Sequence, residues 1–165
     1  MSRALSRVRP RRFSADTLET AALDLFAVRF RDDRSPVAPF ACLGDTGRAP
    51  GAYCLCADPV HLRTDTHGLV LFDAATFALS DEDGRALLGS VADFLAQDGW
   101  RLEAGRSGRW YLSGTEQELT TTPLSLLRGK SVADFLPRGE DASVWRQRFN
   151  EIQMLMHAHP VNRQR

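Results

Sequence analysis

The fold is decided by residues 80–113, which read SDEDGRALLGSVADFLAQDGWRLEAGRSGRWYLS. Ser80 is a favourable helix N-cap, and the three acids that follow it place negative charge at the positive end of a helix dipole. Apolar residues then recur at helical spacing, at Leu87, Leu88, Val91, Phe94 and Leu95. Gly99 is typical of the position just after a helix. The pattern therefore predicts an amphipathic helix between Ser80 and Gly99.

A β-hairpin is predicted directly after this helix. Trp100–Ala104 and Arg109–Ser113 flank the sequence GRSG at 105–108, which is typical of a short hairpin loop. Trp110 and Leu112 alternate along the second strand, so their side chains share one face. We expect this face to pack on the helix, because burying one such side chain contributes about 1.5–3 kcal/mol.

Shorter signals extend the fold on both sides of this unit. Tyr53–Cys56 and Gly68–Phe72 are predicted strands, Val60–Arg63 is a candidate third, and Ser131–Leu136 predicts one helical turn. A last helix begins at Asp141 or Ser143 and ends at Pro160; its apolar residues are Trp145, Phe149, Ile152 and Met156. Together these elements predict an α+β fold, a small antiparallel or mixed sheet with helices packed mainly on one face.

The first 52 residues carry weaker signals. Residues 1–14 contain five arginines and no acid, which predicts a basic disordered arm; a nucleic-acid-binding arm is the alternative. Ala15–Val28 has one helical apolar stripe, and the prolines and glycines that follow favour a loosely structured, turn-rich segment up to residue 52. We therefore expect an arm (1–14), a lead-in (15–52) and an α+β domain (53–165).

Composition narrows the class of protein. The 21 basic and 21 acidic residues cancel, so charge favours neither nucleic acid nor an anionic membrane, except at the arginine-rich N-terminus. No apolar run approaches the ~18–20 residues of a membrane span, and no apolar signal-peptide segment follows the basic start. Three cysteines are an odd number for a disulfide framework and suit a reducing compartment. These features predict a cytoplasmic protein with no membrane partner.

Three short motifs are better explained by structure than by chemistry. Gly129-Lys130-Ser131 is similar to the end of a phosphate-binding loop, but Leu124 stands where that loop requires glycine. The GRSG sequence lacks the spacing of a nucleophile elbow. Cys54 and Cys56 share one strand face; without a second cysteine pair they are interpreted as buried core residues and not as metal ligands.

A cluster of ionisable residues surrounds the candidate strand Val60–Arg63. His61 and Arg63 are two residues apart, so an extended strand presents both on one face, and Asp65 is a nearby acid. The planar guanidinium of an arginine and the N–H group of an imidazole can both donate hydrogen bonds to a phosphate or carboxylate group. The alternative is a structural ion pair between Arg63 and a local acid, Asp58 or Asp65. His67 lies in the same loop.

Three motifs carry a resemblance to a known family. They are ADPVHLR at 57–63, LPRGE at 136–140 and HPVN at 159–162 followed by Arg165, and they resemble the bacterial RpfE-type regulatory proteins. Gly129-Lys130, LPRG and HPVN are also similar to motifs of the archaeal-type cofactor-independent phosphoglycerate mutases. The resemblance covers about two thirds of the chain, from Ala57 to Arg165.

The resemblance implies a mutase-like substrate-binding insert domain. The mutases are metal-dependent phosphoryl-transfer enzymes of the alkaline-phosphatase superfamily, with a serine nucleophile and two metals held by a core domain that flanks the insert. Matching core residues are not found here, and residues 71–79 lack the paired arginines that the mutases carry there. We therefore expect a non-catalytic regulatory or ligand-binding module without a metal or cofactor. The alternative is a fragment or subunit of a metal-dependent phosphoryl-transfer enzyme.

The expected ligand is a small phosphorylated or carboxylate molecule, and a protein partner is a further expectation. Six residues are predicted to line the ligand site: His61, Arg63, Asp65, Lys130, His159 and Asn162. No catalytic or metal-binding residue is predicted.

Overall fold

The computed structural model describes residues 20, 22–23, 37–66, 68–73 and 79–163. The chain divides into two compact units, Met1–Val37 and Ala38–Arg165. The described elements, in chain order, are α1 (Val37–Thr46), β1 (Tyr53–Cys56), β2 (Val60–Asp65), β3 (Gly68–Asp73), α2 (Asp81–Ala96), β4 (Arg101–Ala104), β5 (Trp110–Gly114), α3 (Leu124–Leu127), a 3₁₀ turn (Val132–Phe135), α4 (Ala142–Ala158) and α5 (Pro160–Arg163).

The strands form two separate antiparallel sheets. The first has the order β1–β5–β4. Leu112 of the central strand β5 lies opposite Leu55 of β1 on one side and opposite Leu102 of β4 on the other. The second is the β2–β3 hairpin, in which Arg63 lies opposite Val70. Ser131 pairs with Val70 on the free edge of β3, so the segment that contains it continues this small sheet. The predicted α+β fold is confirmed.

The main core lies between the three-stranded sheet and two helices. Leu87, Val91 and Leu95 of α2 are buried with Trp110 and Leu112 of β5, as the hairpin pattern predicted. α4 adds Trp145, which is 1% exposed and packs edge-on against Trp100 at a ring-centroid distance of 5.0 Å. The predicted N-cap is also confirmed, because the Ser80 hydroxyl accepts a hydrogen bond from the backbone N–H of Asp83.

The opposite face of this sheet is covered by α1. Cys42 of α1 is buried with Cys54 of β1 and Tyr111 of β5. The expectation of a turn-rich segment here was wrong, because Val37–Thr46 is helical. Pro39 is compatible with the helix since it lies in the first turn, where the backbone N–H groups have no intrahelical acceptor.

One further expectation requires correction, and another is confirmed with an addition. Cys54 is buried as predicted, but Cys56 is exposed, because it is the last residue of a strand at the edge of the sheet. Pro160 does end α4 as predicted, but it also begins the one-turn helix α5. Proline suits this first helical position because its fixed φ is already helical.

Several expectations concern residues outside the described part. The basic arm at 1–14 and His67 lie outside it, and only Thr20, Ala22 and Leu23 of the predicted helix Ala15–Val28 are described, all three as helical. Within the described residues, no helix has the length and apolar character that a membrane span requires.

Candidate functional site

A groove of about 280 Å³ lies beside the end of the 3₁₀ turn. One wall is residues 120–122, which follow the central strand of the main sheet, and the other is residues 134–138. Its lining residues are Thr120, Thr122, Asp134, Phe135, Leu136 and Arg138. The groove therefore combines two hydroxyls, one carboxylate, one guanidinium and an aromatic ring.

Backbone hydrogen bonds hold the two walls together. Thr120 and Arg138 exchange both of their N–H···O bonds, at 2.8 and 3.1 Å. Gly139 follows with φ +118°, and a Cβ at this position would overlap the backbone carbonyl of Glu118. The carbonyl of Pro137, which is buried, accepts a bond of 2.9 Å from Arg146 of α4. The LPRG motif thus forms a fixed wall, and glycine is required where it turns.

The groove has the chemistry of a small polar anion site. Arg138 is exposed, so its five N–H donors are available to a planar acceptor such as a carboxylate or phosphate. The Thr120 and Thr122 hydroxyls can donate or accept. Phe135 supplies an apolar surface for the carbon skeleton of a ligand. Asp134, an acceptor when ionised, favours a ligand that also carries a hydroxyl or amine.

Lys130 is the predicted site residue that lies beside this groove. Its Nζ lies 5.4 Å from the centroid of the Phe135 ring. Its carbonyl accepts a hydrogen bond of 3.2 Å from Leu71 of β3, which fixes the backbone position of the lysine. A second positive charge is therefore held next to the aromatic lining residue.

His61, Arg63 and Asp65 lie elsewhere, on one face of the β2–β3 hairpin. The Arg63 guanidinium carbon is 5.7 Å from the centroid of the Phe72 ring, and Phe72 is opposite His61 in the register. Asp65 accepts a bond of 2.6 Å from the backbone N–H of Thr66. Because Ser131 is opposite Val70, strand alternation places Lys130 on the other face of the hairpin from Arg63.

His159 and Asn162 lie at the junction of α4 and α5. His159 Nδ1 accepts a hydrogen bond of 3.3 Å from the backbone N–H of Val161 and so caps α5. Asn162 Nδ2 donates to the Met156 carbonyl at 2.7 Å, which satisfies an acceptor at the end of α4. Val161 packs against the main core. The structure therefore gives the HPVN motif a helix-joining role.

Asp58, one of the two acids considered as an ion-pair partner of Arg63, instead supports the main sheet. Its Oδ1 accepts a bond of 2.8 Å from the backbone N–H of Trp110, beyond the last paired residue of β1. Burial raises the pKa of Asp58, and this backbone hydrogen bond opposes the rise.

A second polar cluster is centred on Asp45, at the C-terminal end of α1. Asp45 Oδ2 accepts hydrogen bonds from the Ser107 hydroxyl, from the Tyr111 hydroxyl at 2.6 Å and from Arg109 Nε at 3.1 Å. The Ser107 and Tyr111 hydrogen bonds are the largest causes of the lowered pKa of Asp45. Burial and the same carboxylate raise the pKa of Tyr111. With three donors on Oδ2, the carboxylate is suited to holding the β4–β5 loop.

A shallower groove of about 420 Å³ runs along α4 and is lined by Asn150, Gln153, Met154 and His157. These residues present mostly apolar atoms, so this groove fits the expected charged ligand less well than the first. Among the residues that the structure describes, no three His, Cys, Asp or Glu side chains are arranged to hold a metal ion.

Comparisons of the chain with protein-family models, curated proteins and solved structures give no match. The resemblance to RpfE-type proteins and to the mutases therefore stays a prediction.

Sequence reasoning missed most of the groove. Arg138 lies in the LPRGE motif, but no sequence pattern marks Thr120, Thr122, Asp134 or Phe135 as site residues. The available signal was the LPRG motif itself, whose proline and glycine indicate a fixed turn. Its partner segment at 118–120 is distant in sequence and carries no comparable signal.

Proposed function

We propose that this chain is a non-catalytic regulatory or ligand-binding module whose ligand is a small molecule with a phosphate or carboxylate group. The observation that carries the proposal is the groove at 120–122 and 134–138, where Arg138, two threonine hydroxyls and an aromatic ring face one space. Lys130 beside Phe135 adds a second cationic group.

The groove walls are suited to binding because they are already ordered. The backbone of Arg138 is paired with Thr120 on one side and is followed by the constrained Gly139. Binding an anion would then immobilise only the side chain of Arg138, which costs about 0.5–1.5 kcal/mol, and no loop would need to fold. The guanidinium fork can form two parallel bonds to one anionic group.

Asp134 defines the ligand more closely. A carboxylate in the same groove repels a bare anion, but it accepts a hydrogen bond from a ligand hydroxyl. A hydroxy acid or its phosphate ester satisfies both Asp134 and Arg138. We therefore expect a phosphorylated hydroxy acid to bind more tightly than inorganic phosphate. Asp134→Asn should reduce the difference in affinity between the phosphorylated hydroxy acid and inorganic phosphate, because it removes the carboxylate that repels inorganic phosphate.

The test is anion-induced thermal stabilisation of the full chain. With 3-phosphoglycerate as the probe at about 100 times its Kd, the wild-type protein should gain about 2.7 kcal/mol of stability. Arg138→Ala should abolish this gain and leave the melting temperature without ligand nearly unchanged, because the side chain is exposed. Arg63→Ala is the matched control, since Arg63 is also an exposed arginine but lies on the β2–β3 hairpin.

The outcomes separate the possible sites. If Arg63→Ala loses the response and Arg138→Ala keeps it, the anion binds beside His61 on the hairpin and the groove is not the site. If neither phosphate nor 3-phosphoglycerate at millimolar concentration stabilises the wild-type protein, the proposed function fails. Turnover of 3-phosphoglycerate by the purified chain with a divalent cation would contradict the non-catalytic assignment.

A further inference from the structure

The three cysteines of the chain converge on the face of the main sheet that α1 covers. Cys42 comes from α1 and is 1% exposed, and Cys54 comes from β1 and is 8% exposed. The two belong to one small buried cluster with Tyr111, and the Cys42 thiol is one of the neighbours that raise the pKa of Cys54. Cys56 is on the same face of β1 as Cys54 but is exposed.

Cys42 and Cys54 belong to different elements, so a bond between their sulfur atoms would tie α1 to β1. α1 also holds the β4–β5 loop through Asp45, which bonds Ser107 and Tyr111. A link at Cys42 would therefore fix one helix, one strand and, through Asp45, a hairpin loop.

We propose that Cys42 and Cys54 form an oxidation-sensitive dithiol, which a peroxide converts to a disulfide that locks α1 onto the sheet. One sulfur attacks a peroxide oxygen, the O–O bond breaks, and a sulfenic acid and one water (or alcohol) are produced. The second sulfur then displaces the hydroxyl group of the sulfenic acid as water, and the S–S bond forms. Two thiols are oxidised by two electrons, and one peroxide is reduced.

The reaction should be slow and reversible. Burial is the largest cause that raises the pKa of Cys54 to about 12, and the neighbouring Cys42 thiol is the second. At neutral pH Cys54 is therefore a thiol and a weak nucleophile. The dithiol is then the resting state in a reducing compartment, and sustained exposure to peroxide is required to form the disulfide. A dithiol reductant should restore the starting protein.

The test is peptide mapping of the folded full chain after incubation with hydrogen peroxide. The expected product has lost about 2 Da, the two hydrogens removed by disulfide formation, and contains a peptide that joins Cys42 to Cys54. Because Cys54 and Cys56 fall in one tryptic peptide, fragmentation of the cross-linked peptide must assign the sulfur. The variant Cys56→Ser should still form the link, and Cys42→Ser should not.

Two results would overturn the proposal. The proposal fails if fragmentation of the wild-type product assigns the link to Cys56 and the variant Cys56→Ser does not form the link. That result would show that the exposed cysteine is the partner. The proposal also fails if, after prolonged exposure to peroxide, Cys56 is oxidised to sulfinic acid while both buried thiols are still free. That result would show that Cys42 and Cys54 are inert. The wild-type fragmentation result does not depend on whether a cysteine variant folds.

Discussion

Removal of the Asp45 carboxylate should destabilise the protein more than removal of any exposed acid. Asp45 Oδ2 is the shared acceptor for Ser107, Arg109 and Tyr111, and its side chain is only 14% exposed. In Asp45→Ala, the hydroxyl of Tyr111, a residue that is 1% exposed in the wild-type protein, loses its acceptor. An unsatisfied buried donor of this kind costs about 1–3 kcal/mol.

The other donors add less to this loss. The Arg109 side chain is 44% exposed, so its ion pair with Asp45 is worth about 1 kcal/mol or less, because water can replace the carboxylate. The total loss of unfolding free energy for Asp45→Ala is then about 1–4 kcal/mol, or about 2–16 °C in melting temperature for a chain of this size.

Chemical denaturation of a double-mutant cycle provides the assay. Asp45→Ala, Tyr111→Phe and the double variant should show a coupling energy of about 1–2 kcal/mol, since Tyr111→Phe removes the donor that Asp45→Ala leaves unpaired. Glu116→Ala, which removes an exposed acid, should change stability by about 0.5 kcal/mol or less. A loss below about 0.5 kcal/mol for Asp45→Ala with no coupling to Tyr111 would refute the reasoning.

The same carboxylate predicts a pH dependence. Hydrogen bonds from Ser107 and Tyr111 hold the pKa of Asp45 below its ordinary value of 3.8. A group with a lowered pKa in the folded state stabilises the protein above its unfolded-state pKa, and this contribution is lost as the pH falls through the folded-state pKa. The stability difference between the wild-type protein and Asp45→Asn should therefore be constant near neutral pH and should shrink on acidification below 3.8.

Two further predictions concern the groove wall and the core. Gly139→Ala should destabilise the protein and weaken anion binding, because the added Cβ overlaps the Glu118 carbonyl at φ +118°; unchanged melting and binding would mean that the wall is not constrained. Trp145→Ala should cost about 3–5 kcal/mol in denaturant unfolding, since Trp145 is 1% exposed and packs on Trp100, whereas Phe149→Ala, at a residue 42% exposed, should cost much less. Equal losses for Trp145→Ala and Phe149→Ala would contradict this account of the core.

The sequence predicted the main core well because its signals are local. Ser80 caps α2 through a residue three positions away, and Trp110 and Leu112 follow the helix after a single hairpin loop. Each of these relations lies within a few residues, where side-chain periodicity and turn composition are informative. The confirmed packing of α2 on β5 follows from this short-range consistency.

Long-range relations were not predictable in the same way. Nothing near Thr120 indicates that its backbone pairs with Arg138, and nothing near Asp45 indicates that it meets Tyr111. α1 was missed because Pro39 and Gly44 disfavour a helix, while its burial against Cys54 and Tyr111, which stabilises it, depends on tertiary packing. The groove and the cysteine cluster both depend on such distant pairings.

The quoted family motifs illustrate why short resemblances do not by themselves locate a ligand. In HPVN, His159 caps α5, Pro160 begins it and Asn162 satisfies a carbonyl of α4, so each polar residue has a structural reason to be present. In LPRG, by contrast, the buried Pro137 and the constrained Gly139 serve the turn, and Arg138 between them is exposed to the groove. A side chain that a rigid turn presents, and that the turn itself does not use, is the better candidate for binding. For that reason Arg138, and not His159 or Asn162, is the residue on which the proposed ligand site depends.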